Sequence, residues 1–138
     1  MACNTGECCC LDLPTRLRTP EEIASRLRSA FATRDFVEFG RLLASDARWG
    51  DDDNPNRCRS RTDVVATFER LLREGVDGRV AEAMPGTRGV AIRLHVDWPN
   101  PGAGREIDLY QAYLVADGLV TEIRRYDDRE SAVAAISP

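Results

Sequence analysis

A short segment in the second half of the chain carries the side chains best suited to acid/base chemistry. The segment RLHVDW contains His95, the only histidine among the 138 residues, and Asp97 follows two positions later. Polar and apolar residues alternate along it, which predicts a β-strand with His95 and Asp97 on the same face, about 7 Å apart. A carboxylate this close to an imidazole can hold its tautomer and raise its pKa, as a general base requires.

The same alternation permits a second interpretation. One face of an antiparallel sheet is commonly polar and solvated. Arg93, Thr121 and Arg125 would then form an ion-paired outer surface, and His95 and Asp97 would belong to it. The sequence leaves both interpretations open: a dyad inside a pocket, or a polar sheet face directed outward.

Cysteines cluster at the start of the chain. The four are Cys3, Cys8, Cys9 and Cys10. Thiols this close could bind a soft metal such as zinc or copper(I), but adjacent cysteines depart from the usual spacing of zinc sites. We therefore predict a disordered tail over residues 1–18, with a metal-handling tail as the alternative. The fifth cysteine, Cys58, is predicted to be a buried packing thiol.

Composition narrows the class of protein. The formal net charge is −4 and the arginines are scattered, which argues against a nucleic-acid partner. The chain contains no lysine, so mechanisms that need a lysine Schiff base or a P-loop lysine are excluded. No apolar run approaches the length of a membrane span, and the first residues lack the pattern of a secretory signal. We expect a cytoplasmic protein with no membrane partner, no cofactor and no metal in its folded domain.

Helical periodicity and capping signals dominate the first half of the chain. The motif TPEE has the composition of a capped helix start and predicts a helix over 20–34. Asp35 can cap a second helix, predicted to end near Ala44, after which SDARW turns into a short strand. The segment GDDDNPNRCRSR is predicted to be a loop. Ser60 or Thr62 caps a third helix with a strong apolar stripe.

The apolar period changes to two after this third helix. Strands are predicted over 79–84, 89–98, 106–116 and 119–126. Asp117-Gly118 is the strongest hairpin signal in the chain, and RESAVAAI can form a last short helix. The pattern predicts one α+β domain over 19–138, in which three N-terminal helices cover one face of a strongly curved antiparallel sheet.

Three segments of the chain carry a family pattern: AFATRDFVEFGRLLASDARW (30–49), RCRSRTDVVATFERLL (57–72) and DLYQAYLVADGLVTEIRRYDD (108–128). They resemble the nuclear transport factor 2-like superfamily and, within it, the SnoaL-like bacterial branch, which is polyketide cyclase-like and ketosteroid isomerase-like. The resemblance extends over 19–136. It implies a cone-shaped mixed sheet whose open end holds a ligand pocket, and a homodimer formed through the outer sheet face.

The resemblance also implies roles for side chains. Ketosteroid isomerase-like members use a carboxylate base whose pKa is raised in an apolar pocket, and Asp108 is carried over as that base. Tyr110 and Arg125 would then stabilise developing negative charge. The further predicted ligand contacts are Trp49, Tyr113 and Tyr126.

Limonene epoxide hydrolase-like members offer a different mechanism. They use an arginine and two aspartates, and the corresponding positions here are His95, Asp97 and Arg125. Because only one of the three residue types is kept, epoxide hydrolysis by that route is not predicted.

These observations predict a protein that binds a small hydrophobic molecule, polyketide- or steroid-like, in its cone. An isomerase, cyclase or dehydratase of secondary metabolism is the enzymatic form, with His95 as base, Asp97 as orienting carboxylate and Asp108 as alternative base. The fold alone does not distinguish such an enzyme from a non-catalytic ligand carrier or a dimeric scaffold. A metal-handling protein that uses the N-terminal cysteines is the third interpretation.

Overall fold

The computed structural model describes residues 17–50, 57–99 and 105–137. Its helices are α1 (Pro20–Thr33), α2 (Phe36–Arg41), α3 (Arg61–Arg73) and α4 (Arg129–Ala135). Its strands are β1 (Leu43–Trp49), β2 (Asp77–Gly86), β3 (Gly89–Trp98), β4 (Arg105–Ala116) and β5 (Leu119–Tyr126). No helix in these ranges is long and apolar enough to cross a membrane.

Two sequence predictions fall largely or wholly outside the described residues. One is the tail with Cys3, Cys8, Cys9 and Cys10, and the other is the greater part of the loop between β1 and α3. Cys58, in the described part of that loop, is buried as predicted, and its sulfur lies 3.3 Å from the Thr67 hydroxyl.

Capping side chains determine where the helices begin. The predicted capping box opens α1: the Glu22 amide donates to the Thr19 hydroxyl at 3.2 Å, and the Thr19 amide donates to the Glu22 carboxylate at 3.1 Å. Asp35 caps α2, and Ser60 rather than Thr62 caps α3. Each cap satisfies an amide that the helix itself leaves without a partner.

The second helix ends earlier than its apolar pattern predicts. The prediction ended near Ala44, whereas α2 ends at Arg41 and Leu43 already belongs to β1. The Val120 amide donates to the Leu42 carbonyl at 2.8 Å, and Leu42 and Leu43 are fully buried. Pairing with β5, distant in sequence, therefore decides this boundary.

The five strands form one sheet in the order β1-β5-β4-β3-β2. β1 runs parallel to β5, and all other neighbours are antiparallel. Asp117 and Gly118 both adopt left-handed backbone conformations, with φ of 54° and 77°, as the predicted two-residue hairpin between β4 and β5 requires. The sheet is therefore mixed, and its fold class is the predicted α+β.

The two faces of the sheet are covered differently. On the inner face, α1, α2 and α3 pack over the main core, which includes Ile92, Leu94 and Val96 of β3. On the outer face, α4 packs against β3, β4 and β5, where Ala91 and Ala112 join its own side chains in a second, smaller core. One half of the outer face is thus covered, and the other half is polar.

An aromatic cluster joins the helices to the sheet. Phe39 and Phe68 meet edge to face with ring centroids 4.9 Å apart, and Trp49 of β1 stacks on Phe68 at 4.8 Å. Phe31 of α1 contacts both phenylalanines edge to face. Such pairs contribute free energy beyond their buried area, so this cluster fixes α1, α2 and α3 relative to β1.

Phe39→Ala is expected to lower the free energy of unfolding by about 3–5 kcal/mol, because it empties a buried ring site that its neighbours cannot fill. Phe39 is only 2% exposed. Urea unfolding of the purified variant measures the change. Val37→Ala is the matched control in the same helix, since Val37 is 68% exposed and surface truncations cost within about 0.5 kcal/mol. Equal losses in the two variants would show that the aromatic cluster does not hold the helices.

Candidate functional site

A cavity of about 210 Å³ lies between the three N-terminal helices and the inner face of the sheet. Every phenylalanine and tryptophan of the chain lines it. They are Phe31, Phe36, Phe39, Trp49, Phe68 and Trp98. Aromatic residues make up only 7% of the sequence, so their concentration around one space marks it as the leading candidate site.

Alternation along β3 decides which half of RLHVDW reaches this cavity. Leu94, Val96 and Trp98 line it, as the apolar members of the segment. The intervening polar residues, His95 among them, point to the opposite face. The strand is therefore the one predicted, and its polar side faces away from the helices.

A buried glutamine brings a polar group to the cavity wall. Gln111 on β4 is 2% exposed and lines the cavity. Its side-chain oxygen accepts a hydrogen bond from the Tyr113 hydroxyl at 2.8 Å. Burial raises the pKa of that hydroxyl well above its ordinary value, so it stays a donor. The bond from Tyr113 engages the Gln111 oxygen and not its amide nitrogen, and among the described residues the buried indole nitrogen of Trp98 has no hydrogen-bond partner.

Three charged side chains line the cavity. Arg34, just after α1, pairs with Asp77 at the start of β2, with 2.7 Å between Nη2 and Oδ2. Arg125 of β5 lies directly opposite Gln111 in the antiparallel register. Within the described part of the chain, no carboxylate pairs with Arg125. The wall therefore presents one compensated cation and one free cation.

The residues predicted to act in catalysis lie together, but outside the cavity. His95, Asp97 and Asp108 occupy the uncovered half of the outer sheet face. Their polar side chains point to the same face of the sheet as the alanines under α4. The three N-terminal helices cover the opposite face. The cavity lining contains none of the three, so their catalytic roles stay a prediction without support from its geometry.

The residues predicted to contact a ligand divide between the two faces. Trp49 and Arg125 line the cavity, and Tyr113, buried on the same inner face, contacts the lining through its hydrogen bond to Gln111. Tyr110 and Tyr126 lie on the outer face, where they pack against the small core under α4.

The outer-face side chains form an ion cluster around His95. Its Nδ1 lies 2.9 Å from Asp108 and its Nε2 lies 2.6 Å from Glu106, and Asp108 also receives a hydrogen bond from Arg93 at 3.3 Å. The bonds to Asp108 and then Glu106 raise the pKa of His95, and the bond from His95 lowers the pKa of Asp108. The doubly protonated imidazolium satisfies both contacts.

One further arrangement on this face is compatible with a cation. Potential ligand atoms of His95, Asp97 and Glu106 all lie within 4.8 Å of one another. Imidazole and carboxylate ligands suit several divalent metals. The hydrogen bonds of the ion cluster already use the imidazole, and a metal would have to displace the proton at His95.

Sequence reasoning missed Gln111, although a signal for it was present. Along β4 the residues facing the helices are Ile107, Leu109, Gln111 and Tyr113, so one polar residue interrupts an apolar series. A polar side chain at a core position must find a hydrogen-bond partner or face a cavity. Arg34 and Asp77 carried no comparable signal, because charged residues at the ends of elements are common.

The sequence matches the family model of the SnoaL-like domain over residues 24–123. No curated protein sequence matches the chain. Many solved structures share its fold, including several with names that refer to polyketide cyclases or to a nuclear transport factor 2-like protein.

Three of these structures illustrate the likeness. A proposed polyketide cyclase from Pseudomonas putida KT2440 is 17% identical, with a TM-score of 0.62, over 86% of this chain and 98% of that one. Bal32a, from a soil-derived mobile gene cassette, is 18% identical, with a TM-score of 0.66, over 85% and 95%. A Mycobacterium tuberculosis protein in complex with estradiol-17β-hemisuccinate is 21% identical, with a TM-score of 0.61, over 82% and 97%. At these identities the likeness concerns the fold.

Asp108→Asn is expected to lower the pKa of His95 toward its ordinary value of 6.5, because a neutral amide no longer favours the imidazolium. NMR titration of the single imidazole measures this directly. Asp46→Asn is the control, since Asp46 is an exposed carboxylate on β1, three strands away from β3. A wild-type pKa at or below 6.5, or equal shifts in the two variants, would contradict the ion cluster.

The two shifts affect stability at opposite ends of the pH range. The raised pKa of His95 stabilises the fold fully below 6.5, and this contribution is lost as pH rises through the folded-state pKa. The lowered pKa of Asp108 stabilises the fold above 3.8, and this contribution is lost as pH falls through the folded-state value. Both are present between 3.8 and 6.5.

Tyr113→Phe is expected to cost about 1–3 kcal/mol in the free energy of unfolding, because the Gln111 oxygen loses its donor in a buried place. Denaturant unfolding measures the loss. Tyr110→Phe is the control on the outer side of the same strand, where the Tyr110 hydroxyl makes no hydrogen bond to the part of the chain that the structure describes. Adding Gln111→Leu to Tyr113→Phe removes both polar partners and should restore part of the loss. A loss no larger than that of Tyr110→Phe would show that this hydrogen bond does not stabilise the wall.

Proposed function

This chain belongs to the SnoaL-like domain family, and from that premise we propose that it binds a small, largely apolar molecule inside its cone. The observation that carries the proposal is the cavity of about 210 Å³ walled by all of its phenylalanines and tryptophans. The match over residues 24–123 confirms the family resemblance seen in the sequence. The mycobacterial relative, solved with a steroid ester, supports a ligand with an apolar body.

The volume of the cavity limits the size of the part that it encloses. A cavity of about 150 Å³ in another protein binds benzene, and pockets for drug-sized molecules begin at about 300 Å³. A volume of about 210 Å³ lies between these values. We therefore propose a ligand whose enclosed part has about the size of two fused rings, as in a small aromatic polyketide.

The proposal concerns binding and does not include proton transfer in the cavity. The only carboxylate among the described lining residues is Asp77, which is paired with Arg34. A general base has to be within reach of the proton that it removes from the ligand, and the Asp77 carboxylate is already engaged by Arg34 at 2.7 Å. A carrier or sensor of a small molecule fits this lining better than an isomerase.

The neutral ketone 2-acetylnaphthalene is expected to bind with a dissociation constant in the micromolar range. Its binding should change the fluorescence of the protein, because Trp49 and Trp98 are the only tryptophans and both line the cavity. Titration calorimetry on the same samples gives the affinity. Absence of both signals would contradict the proposed function.

Leu72→Trp tests whether the ketone occupies this cavity. Leu72 of α3 lines the cavity and is half-buried, so a larger side chain there should fill the space and weaken binding at least about tenfold. Calorimetry is the measurement, since an added tryptophan changes the fluorescence. Val37→Trp, on the exposed side of α2, is the matched control and should bind like the wild type. Unchanged affinity in Leu72→Trp would place the ligand elsewhere.

A further inference from the structure

The charges that line the cavity do not balance. Two arginines and one aspartate reach it, although the whole chain carries a net charge of −4. Arg34 is neutralised by Asp77 at 2.7 Å. Arg125, an exposed residue that also lines the cavity, has no carboxylate partner within 17–50, 57–99 or 105–137, so the lining carries one positive charge that the described residues do not neutralise.

A neutral donor stands beside this cation. Gln111 and Arg125 are directly opposite each other on β4 and β5, which places their Cβ atoms about 4.5–5.5 Å apart on the inner face. The Tyr113 hydroxyl already occupies the Gln111 side-chain oxygen. That contact orients the amide, so its N–H groups remain for a ligand. The pair therefore offers donors only.

The neighbouring arginine shows the contrast. Arg124 points to the outer face, where Glu122 accepts from its Nε at 2.8 Å. The two consecutive arginines of β5 thus differ in the face to which they point and in whether a carboxylate pairs with them. One is paired with a carboxylate of its own protein, and the other faces the cavity without one.

We infer that the cavity selects apolar molecules that carry a carboxylate, and that Arg125 and Gln111 receive this group where β4 and β5 pair. The inference rests on the proposed binding function and names its ligand class. A carboxylate is acceptor-only and has two oxygens, which matches two adjacent donor groups. A doubly charged phosphate would require a second free cation, whereas Arg34 is already neutralised.

The test compares two bicyclic ligands of nearly the same shape, 2-naphthoate and 2-acetylnaphthalene, by titration calorimetry near neutral pH. The full-length protein is expected to bind the naphthoate about tenfold more tightly than the ketone, as a charge-assisted hydrogen bond would give. Added sodium chloride should weaken naphthoate binding and leave ketone binding unchanged, because salt screens only the charged pair.

Arg125→Gln should remove the preference for the naphthoate and leave the affinity for the ketone within about twofold of the wild type. Arg124→Gln is the matched control, since it removes the same charge from the next residue on the opposite face, and it should keep the preference. The double variant Gln111→Leu/Tyr113→Phe removes the amide without leaving a buried hydroxyl unpaired, and should reduce the preference in part.

The outcomes separate this inference from the function on which it rests. Ketone binding without tighter naphthoate binding would overturn the carboxylate preference and leave the proposed function standing. A preference that survives Arg125→Gln, or that Arg124→Gln removes equally, would overturn the assignment to Arg125. Failure of both ligands to bind would overturn the binding function and the inference together.

Discussion

The antiparallel register of β3, β4 and β5 is the constraint on which the rest of this structure depends. Apart from one irregularity between Leu114 and Val115, it assigns the side chains of these strands alternately to the two faces of the sheet. Leu94 opposite Leu109 then builds an apolar wall, and His95 opposite Asp108 builds a charged surface only one residue away. A shift of one residue would exchange the two surfaces and place charged side chains under the helices. Such an arrangement is costly because an unpaired charge loses its hydration when it is buried.

The apolar wall of the sheet is the surface on which the three N-terminal helices pack, and it also forms one side of the cavity. Their phenylalanines cannot pack directly onto the sheet everywhere, because the curved strands and three helices enclose a space that the side chains only partly fill. The aromatic cluster of Phe31, Phe39, Phe68 and Trp49 borders that space. The same rings therefore pack the helices together and line the cavity.

Local features were predictable from the sequence, whereas features that depend on distant partners were not. The capping box of α1 and the Asp117-Gly118 hairpin are written in consecutive residues, and both were predicted. The end of α2 depends on β5, about 80 residues later. For RLHVDW the alternation was predictable. Which side of the strand faces the cavity was not, because that depends on the helices that cover Leu94 and the other apolar residues of the segment. The polarity of Gln111 is likewise informative only once it is known that this residue lies on the face covered by the helices.

The small core under α4 has a consequence for how the sequence can change over evolutionary time. Ala91, Ala112 and Ala132 meet there, all fully buried, so the helix approaches the strands as closely as methyl groups permit. Selection at these positions must act on side-chain volume, since any larger residue lifts the helix. His95 and Asp108 lie a few residues away along the same strands. Selection at these two positions acts on charge and not on volume. The two adjoining halves of this sheet face should therefore accept different kinds of substitution and change at different rates.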